Sequence, residues 1–447
     1  MSHLSDALIN NEVYKSEELK NWVISTENSL NIVSATEKYH NLVNFSTNAK
    51  VPYHQWFIYR EGFARQLIET LLDMSNLSNN DFVIDPFCGS GTTNVVSALR
   101  GYNTLGIDVN PMSAFITQAK ISHYTDDDLA RAKQYLDGLE AFRGDVDIER
   151  YSSIEKYFTE DNFKGLSRIA AYIRTLPESL PKTILKVAFD SIVMDSSDRK
   201  RDGNGLKPYP TKIKDVYDFF SKKVNLIVRD IENERVSTEI KGYGVFGSVL
   251  NMTDIYSKLS NDKAGAIIFS PPYPNSFDYF ESYKLELVFG DYVGSISEIG
   301  SLRSSAVRSF VGAKTQESCD KYVDLIAQEI EDAIPEKEAL NGGKRDSRTR
   351  RVPNMIRGYF SDMHETIRQC NKCLRKGGKT FIVVDESAYL GKIVPTDLIL
   401  AKYGEEEGFR VNQVIECRTA RTSTQQLGKY PYLKTAIRES IIELEKI

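Results

Sequence analysis

A glycine-rich loop between two short apolar runs constrains the fold of this chain more than any other feature. Asp81 to Asp85 reads DFVID, an apolar run that ends in acid and leads into the loop PFCGSG. A helix-compatible stretch follows from Thr92 to Arg100, and Asn103 to Asp108 is a second apolar run of strand length. A strand, a glycine loop, a helix and a strand in this order predict the opening of a parallel α/β sheet.

The strand pattern resumes after residue 242. A helix is predicted from Asn354 to Arg375, ended by the glycine pair 377–378. The closing two runs alternate in polarity and predict an antiparallel pair, so seven strands form a mostly parallel, Rossmann-like sheet. The five later strand candidates are Tyr243 to Leu250, Ala264 to Phe269, Lys379 to Asp385, Gly408 to Cys417 and Glu439 to Lys446.

Two stretches do not fit the sheet pattern and are predicted to be insertions. Residues 121–242 read mainly as helices with a polar loop at their centre, and residues 291–353 are polar with one helical stretch. The remaining chain divides into an N-terminal extension at 1–37, a first core part at 38–120 and a second core part at 243–447. Insertions of this kind are where an α/β scaffold carries its recognition surfaces.

The composition predicts a large buried core and no membrane partner. Hydrophobic residues make up 41% of the 447 residues, and the opening MSHLSDALINNE contains no apolar run typical of a signal peptide. Apolar runs elsewhere have the length of strands and are too short to cross a bilayer. We therefore expect a soluble protein of the cytoplasm.

The charge distribution leaves a nucleic-acid partner open. The net charge is −5, but phosphate binding requires only a local basic face. Two basic loop stretches are candidates for phosphate contact, and each could equally be a solvated loop. The first contains Arg199, Lys200, Arg201, Lys207, Lys212 and Lys214, and the second contains Lys344, Arg345, Arg348, Arg350 and Arg351.

The cysteines predict no metal site. Cys370 and Cys373 form the only close pair among the five cysteines. A zinc site needs two such pairs or matching histidines, so we expect this pair to lie on a helix.

The glycine loop has the features of a nucleotide-like ligand site. Gly89 and Gly91 allow a sharp turn and a close approach of the backbone to a ligand. Thr92 follows where a Walker loop requires lysine, and Asn94 stands where a dinucleotide loop wants a third glycine. Asp108 ends the second strand, where a carboxylate binds the ribose of NAD or of S-adenosylmethionine. The loop therefore predicts a ligand without a pyrophosphate.

A second candidate loop follows the strand Ala264 to Phe269 and reads SPPYPN. Successive prolines fix the backbone and remove its N–H donors, which leaves the carbonyl groups free to accept hydrogen bonds from a ligand. The Ser270 oxygen and the Pro271 carbonyl could accept hydrogen bonds from the two N–H groups of an amino group on a base. Tyr273 offers a ring on which a flipped base can stack. The alternative is an ordinary proline turn with Tyr273 in the core.

Two rival chemistries lack their nucleophiles in this sequence. Methylation at carbon 5 of cytosine needs a thiolate in a Pro-Cys pair, and no such pair occurs. A serine hydrolase needs a histidine base, and none of the histidines occurs in a motif that places it beside Ser270.

Together, the motifs DPFCGSGTT, GIDVNP and SPPY resemble those of the DNA amino-methyltransferases. The SPPY form is similar to the branch that methylates the N4 amino group of cytosine. The resemblance extends from about residue 38 to the end, and includes PYHQWFIYREGF at 52–63. It implies a methyltransferase sheet with helices on both faces, S-adenosylmethionine as cofactor and double-stranded DNA as partner.

The resemblance also implies roles for individual residues. Ser270, Pro271, Pro272 and Tyr273 would form the catalytic loop. The cofactor pocket would contain Asp85, Phe87, Gly89, Gly91, Asp108, Glu61 and Phe63, with Asp254 as the adenine contact and Asn251 as its alternative.

The expected function is sequence-specific methylation of cytosine N4 in a flipped-out base. The insertion at 121–242 is the first candidate for target recognition, and 291–353 is the second. A restriction-modification or related defence system would supply a cognate endonuclease as a candidate partner. The alternatives are an adenine-N6 DNA methyltransferase, an RNA or protein-amide methyltransferase, and a methyltransferase-like binding subunit without activity.

Overall fold

The central feature of the fold is a twisted sheet, seen in a computed structural model that describes residues 3–203, 205–275, 277–312, 320–420 and 422–447. Within these residues, eight strands form the main sheet in the order β1-β7-β8-β6-β5-β2-β3-β4. The strands are β1 (Ile32–Ser34), β2 (Phe82–Asp85), β3 (Asn103–Asp108), β4 (Gly242–Phe246), β5 (Ala264–Phe269), β6 (Leu374–Asp385), β7 (Phe409–Thr419) and β8 (Arg438–Lys446).

The sheet is parallel except at one strand. The β8 strand runs antiparallel to both of its neighbours, β7 and β6, whereas the other pairings are parallel. The predicted mixed α/β sheet is confirmed, with one strand more than the seven expected. The additional strand is β1, a three-residue edge strand parallel to β7.

Alternating strand residues face two different helical layers. In β2, Phe82 and Ile84 belong to one apolar cluster and Val83 belongs to another, because successive side chains of a strand point to opposite faces. Helices Val352–Cys373 and Thr396–Glu406 cover the first face, and helices Arg65–Asp73 and Thr92–Leu99 cover the second. The expected helices on both faces are therefore present.

Residues 121–242 fold mainly as helices around an apolar cluster that they share with residues of both core parts, such as Trp56, Met112 and Phe289. Their central polar stretch contains a two-stranded antiparallel hairpin, Arg199–Asp202 with Gly205–Pro208, where a loop was predicted. The helices of this region are Asp126–Ala141, Glu160–Thr175, Leu180–Val193 and Val216–Asn233, and Pro111–Ile121 precedes them.

The other helices lie near the chain termini or after β4. The N-terminal helices are His3–Asn10, Glu17–Ser29 and Thr36–Tyr39. The later helices are Met252–Ser257, Tyr279–Ser282, Lys284–Phe289, Ile299–Arg303, Lys321–Leu340, Thr424–Lys429 and Leu433–Ala436. A short antiparallel hairpin joins Ser387–Tyr389 to Lys392–Val394.

The predicted N-terminal extension packs against the core over its described residues, 3–37. The N-terminal helices contribute fully buried side chains such as Leu4 and Leu19 to the cluster on the first face of the sheet. Arg438 of β8 donates to Glu27 at 2.7 Å and to Asp397 at 2.8 Å, and all three side chains are buried. A buried ion cluster therefore ties the N-terminal helices to the closing strand.

The substitution Arg438→Met is expected to lower the free energy of unfolding by about 3–5 kcal/mol, because the carboxylates of Glu27 and Asp397 would stay buried without their cation. Glu386→Gln is the matched control in the same cluster. Burial and the carboxylate of Asp397 raise the pKa of Glu386 well above its usual value, which favours a neutral side chain. The control should therefore cost under about 1 kcal/mol. Urea titrations compare the variants, and equal losses would contradict this account.

Two further expectations concern metals and membranes. Cys370 and Cys373 are buried on the helix Val352–Cys373, as predicted. Across the residues that the structure describes, no three His, Cys, Asp or Glu side chains are grouped so as to hold a metal ion. Among the same residues, no helix has the length and apolar character to cross a membrane.

Candidate functional site

The two candidate loops lie side by side because their strands are neighbours. The β2 and β5 strands pair in parallel, with Val83 opposite Ala266 and Ile84 opposite Ile267. The chain then continues from β2 to β3 on one side of the sheet and from β5 to β6 on the other. Such a switch point, at the carboxyl ends of the strands, is where open α/β sheets bind ligands.

The glycine loop after β2 is held by the carboxylate at the end of β3. The Gly89 N–H donates to Asp108 Oδ2 at 2.9 Å, and the Asn110 N–H donates to Asp108 Oδ1 at 2.8 Å. Gly89 has a φ of 51°, and a methyl group there would come within 2.9 Å of the Tyr59 ring. Glycine is therefore required at this position by both conformation and space.

Two of the predicted loop residues act from behind the loop. Asp85 is buried and accepts the Phe87 N–H at 3.0 Å, and burial raises the pKa of Asp85 to about 7. Gly91 has a φ of 80°, and a Cβ there would meet Thr117 Oγ1 at 2.8 Å. Asp85 and Gly91 thus shape the loop, whereas Phe87 lines the cavity in front of it.

A cavity of about 470 Å³ joins the glycine loop to the predicted catalytic loop. Asp108 lies in its wall, and so do the four residues 270–273. Burial raises the pKa of Asp108 to about 6, while the two backbone N–H bonds favour the ionised form. The cavity therefore places the carboxylate that was predicted to bind a ribose and a set of hydrogen-bond acceptors around one ligand space.

The segment before the first core helix supplies one predicted residue to this cavity. Glu61 lines it and accepts a hydrogen bond from Tyr283 Oη at 2.7 Å, and burial raises the pKa of Glu61. Phe63 does not line the cavity, because its side chain is buried in the cluster on the second face of the sheet with Leu67. Tyr59 lines the cavity instead.

The predicted adenine contact lies outside the cavity. Asp254 and Asn251 are both exposed, and neither lines the cavity wall. Ser248 and Val249, directly after β4, occupy the wall at this point. The sequence could have identified these two residues only by their position, because residues just past the end of a parallel strand are the ones that reach the ligand.

The catalytic loop carries an ordered chain of hydrogen bonds. The Ser270 hydroxyl donates to Tyr273 Oη at 3.1 Å, and Tyr273 Oη lies 3.5 Å from Glu439 Oε1. Glu439 in turn accepts from Arg418 Nε at 2.5 Å. Because the Ser270 proton is given to Tyr273, the lone pairs of the serine oxygen are available to accept other donors.

The loop is fixed on its far side as well. The Pro274 carbonyl accepts a hydrogen bond from Tyr389 Oη at 2.8 Å. Pro271 and Pro272 line the cavity next to Ser270. The prolines and this bond restrict the loop to one shape, so its acceptors are positioned before a ligand arrives.

Sequence reasoning missed an aromatic stack beside the site. The rings of Tyr59 and Tyr283 stack at 5.1 Å with an angle of 6° between their planes. The Arg201 guanidinium lies 4.2 Å from the Tyr283 ring and forms an ion pair with Glu286. The hairpin of the 121–242 insertion is therefore anchored to the site by Arg201, which leaves this arginine committed within the protein.

The comparisons with known proteins agree with these motifs. Residues 8–118 match a family described as DNA methylase. The chain is 27% identical to the type II methyltransferase M.BsoBI of Geobacillus stearothermophilus, over 93% of this chain and 90% of the relative. It is 25% identical to the type II methyltransferase M.AvaI of Nostoc sp., over 87% of this chain and 86% of the relative.

Likeness to solved structures is weak. A geranyl diphosphate methyltransferase in complex with sinefungin aligns over 99% of this chain and 98% of its own, at 7% identity and a TM-score of 0.31. A likeness of this size says nothing about function. The match at residues 8–118, the two relatives that align over most of their length and the motifs assembled around one cavity give the conclusion: the chain is similar to the DNA amino-methyltransferases, and its cofactor is S-adenosylmethionine.

Proposed function

We propose that this protein transfers a methyl group to the N4 amino group of a flipped-out cytosine in double-stranded DNA. The observation that carries the proposal is Ser270, whose oxygen keeps its lone pairs for an amino group in the cavity that also contains Asp108. Ser270 begins the SPPY motif, which resembles the cytosine-N4 branch.

Each part of the site has a role in this reaction. S-adenosylmethionine supplies an electrophilic methyl group on a sulfonium. Asp108 accepts the ribose hydroxyl groups, and the turn at Gly89 lets the backbone approach the methionine part. Ser270 Oγ and the Pro271 carbonyl accept hydrogen bonds from the two N–H groups of the target amine. These two bonds orient the nitrogen lone pair toward the methyl group. The bonds to Tyr273 Oη fix the ring on which the base stacks.

Adenine N6 is the second candidate acceptor, because it presents the same two N–H bonds on a flat ring. The test incubates the protein with methyl-labelled cofactor and DNA and then digests the DNA to nucleosides. Label in N4-methylcytosine is the expected result, and label in N6-methyladenine would overturn the choice of base. Parallel reactions with RNA, which should remain unlabelled, test the RNA alternative.

The relatives support a biological setting for this activity. Both are named type II methyltransferases and align with this chain over most of their length. We propose that the protein modifies DNA within a type II restriction-modification system and that a cognate endonuclease cuts the same site. Sequencing of methylated DNA from cells that express the protein maps the site. A plasmid from these cells should then resist a nuclease that cuts there.

We also propose that both insertions contact DNA and that 121–242 reads the target sequence. Both basic stretches contain cations that form no ion pair with a described acidic residue. In the first stretch, Arg201 is committed to Glu286 and Lys207 pairs with Asp202. In the second stretch, among the residues that the structure describes, no acidic group pairs with Lys344, Arg345, Arg348 or Arg351. The first stretch also retains cations without an acidic partner among the described residues, namely Arg199, Lys200, Lys212 and Lys214. Ion pairing therefore does not separate the two stretches, and we choose the second for phosphate contact because of its position beside the catalytic loop.

A cleft next to the catalytic loop supports this choice. It has a volume of about 470 Å³, and Arg348 and Gln426 lie in its wall. Asn275 lines both this cleft and the cofactor cavity. A DNA strand beside a flipped base would thus reach the cleft directly from the catalytic loop.

The double substitution Arg348→Gln and Arg351→Gln is expected to weaken DNA binding about tenfold at moderate salt. It should also reduce the slope of log K against log salt concentration by roughly 2, since each lost phosphate contact removes about 0.9. Arg350→Gln is the matched control, because Arg350 is already paired with Glu338. Fluorescence anisotropy over a salt series measures both values. An unchanged slope in the double variant would place the phosphate contacts elsewhere.

A further inference from the structure

Two charged side chains of the closing strands face the cavity opposite the glycine loop. Arg418 of β7 and Glu439 of β8 both line it, and their side chains are only 15% and 6% exposed. The Arg418 Nε donates to Glu439 Oε2 at 2.5 Å. Within the part of the chain that the structure describes, the two terminal nitrogens of Arg418 donate to no other group. A nearly buried guanidinium thus presents unused donors to the ligand space.

The pair lies close to the acceptor of the target amine. Glu439 Oε1 is 3.5 Å from Tyr273 Oη, which accepts the Ser270 proton at 3.1 Å. One tyrosine hydroxyl therefore separates the Arg418–Glu439 pair from Ser270. A base whose amino group is bound at Ser270 directs the rest of its Watson–Crick edge into the same small region.

The chemistry of that edge differs between the two candidate bases. Beside its amino group, cytosine carries two acceptors in a row, ring N3 and the O2 carbonyl. Adenine carries one acceptor, ring N1, followed by a C–H group. A guanidinium donates two parallel N–H bonds and therefore matches cytosine, whereas against adenine one donor would stay buried without a partner.

We propose that Arg418 reads the N3 and O2 atoms of the flipped cytosine and is the residue that selects cytosine over adenine. Ser270 and Arg418 together then present the acceptor and the two donors that guanine presents to cytosine in a base pair. Glu439 is a positioning residue, because its bond to Nε directs the terminal nitrogens into the cavity. This inference rests on the proposed methylation of cytosine N4 and names the contact that determines it.

A second arginine on the same strand offers a matched control. Arg410 of β7 pairs with Glu445 of β8 at 2.9 Å, and the arginine side chain is 59% exposed. The Arg410–Glu445 pair joins the same two strands as Arg418–Glu439, but it lies outside the cavity wall. Arg410→Met therefore removes a cross-strand ion pair without touching the site.

The test combines the substitution with a change to the base. The substrates are two DNA duplexes that carry the mapped target site. One has cytosine as the target, and the other has a 2-aminopyridine C-nucleoside, which keeps the amino group and the ring nitrogen but has C–H in place of O2. Rates are measured well above the pKa of the aminopyridine. For the wild-type protein and Arg410→Met, we expect kcat/KM to be about tenfold to a hundredfold lower on the analogue.

For Arg418→Met, kcat/KM on cytosine should fall by a similar factor, and the difference between the two duplexes should shrink below about threefold. A purely structural role would lower both rates equally and keep the full difference, which would overturn the proposal. If Arg418→Met does not fold, Arg418→Lys serves in its place and should reduce the difference in the same direction. Methylation of adenine by the wild-type protein would instead overturn the proposed function.

Discussion

The Ser270→Ala variant is expected to lose about 10²- to 10³-fold in kcat while it binds S-adenosylmethionine with unchanged affinity. The factor is typical for the loss of one preorganised hydrogen-bonding group at a reacting centre. Alanine removes the oxygen that accepts one N–H bond of the amine, so the nitrogen lone pair is no longer held toward the methyl group. Asp108 and the glycine loop do not contact the Ser270 hydroxyl and should keep the cofactor in place.

Single-turnover rates and calorimetry with the cofactor separate these two effects. Tyr273→Phe is the informative companion, because it keeps the ring for stacking but removes the hydroxyl that takes the Ser270 proton. Its rate should lie between those of the wild-type protein and Ser270→Ala, since Ser270 keeps its oxygen but loses its fixed orientation. Turnover at the wild-type rate in Ser270→Ala would mean that the serine oxygen does not accept from the amine.

The strands could be predicted where continuous apolar runs end at a polar or glycine signal. The predicted bounds of Asn103–Asp108 and Ala264–Phe269 agree with the structure for this reason. The edge strand Ile32–Ser34 was missed because three residues carry no periodicity. The glycine pair 377–378 was expected to end a helix, but it lies inside β6, where the pairing with β5 shifts register. Glycine marks a bulge as readily as a helix end.

The residues of the cavity wall were predictable where they end a strand or lie in the loop that follows it. Phe87, Asp108 and the residues 270–273 meet that condition, and all line the cavity. Phe63 and Asp254 were chosen by resemblance within a segment, and a shift of a few residues turns a side chain into the core or toward solvent.

Arg418 and Glu439 were invisible in the sequence for a different reason. They follow the catalytic loop by more than 140 residues, and the register of two antiparallel strands brings them to it. Both strands were predicted, but the predicted end at Cys417 left Arg418 outside. A charged residue near the end of an alternating strand also usually faces solvent. Only the pairing of β8 with β6 shows that these residues lie at the carboxyl edge of the parallel strands, where the ligand binds.

The Asp108→Ala variant is expected to weaken binding of S-adenosylmethionine by about 1–3 kcal/mol, or roughly 5- to 150-fold in Kd. The variant removes the acceptor of the ribose hydroxyl groups and also the group that holds the Gly89 N–H. Asp254→Ala is the matched control, because Asp254 is exposed outside the cavity and should leave Kd unchanged. Affinity at the wild-type level in Asp108→Ala would refute the role of this carboxylate.

The pH dependence of cofactor binding gives an independent check on Asp108. Burial raises the pKa of this carboxyl to about 6, and only the ionised form accepts from both ribose hydroxyls and both backbone N–H groups. Affinity should therefore rise as the pH increases through about 6 and level off above it.

Asp108→Asn keeps the shape of the side chain but cannot ionise, so its affinity should be low and should lack this step. Any step that remains near pH 7 is assigned to Asp85 or to Lys120, because burial brings the pKa of each to about 7 and each forms a hydrogen bond with the glycine loop. A wild-type profile that is flat between pH 5 and pH 8, a range chosen around the pKa of about 6, would contradict ribose binding by an ionising Asp108.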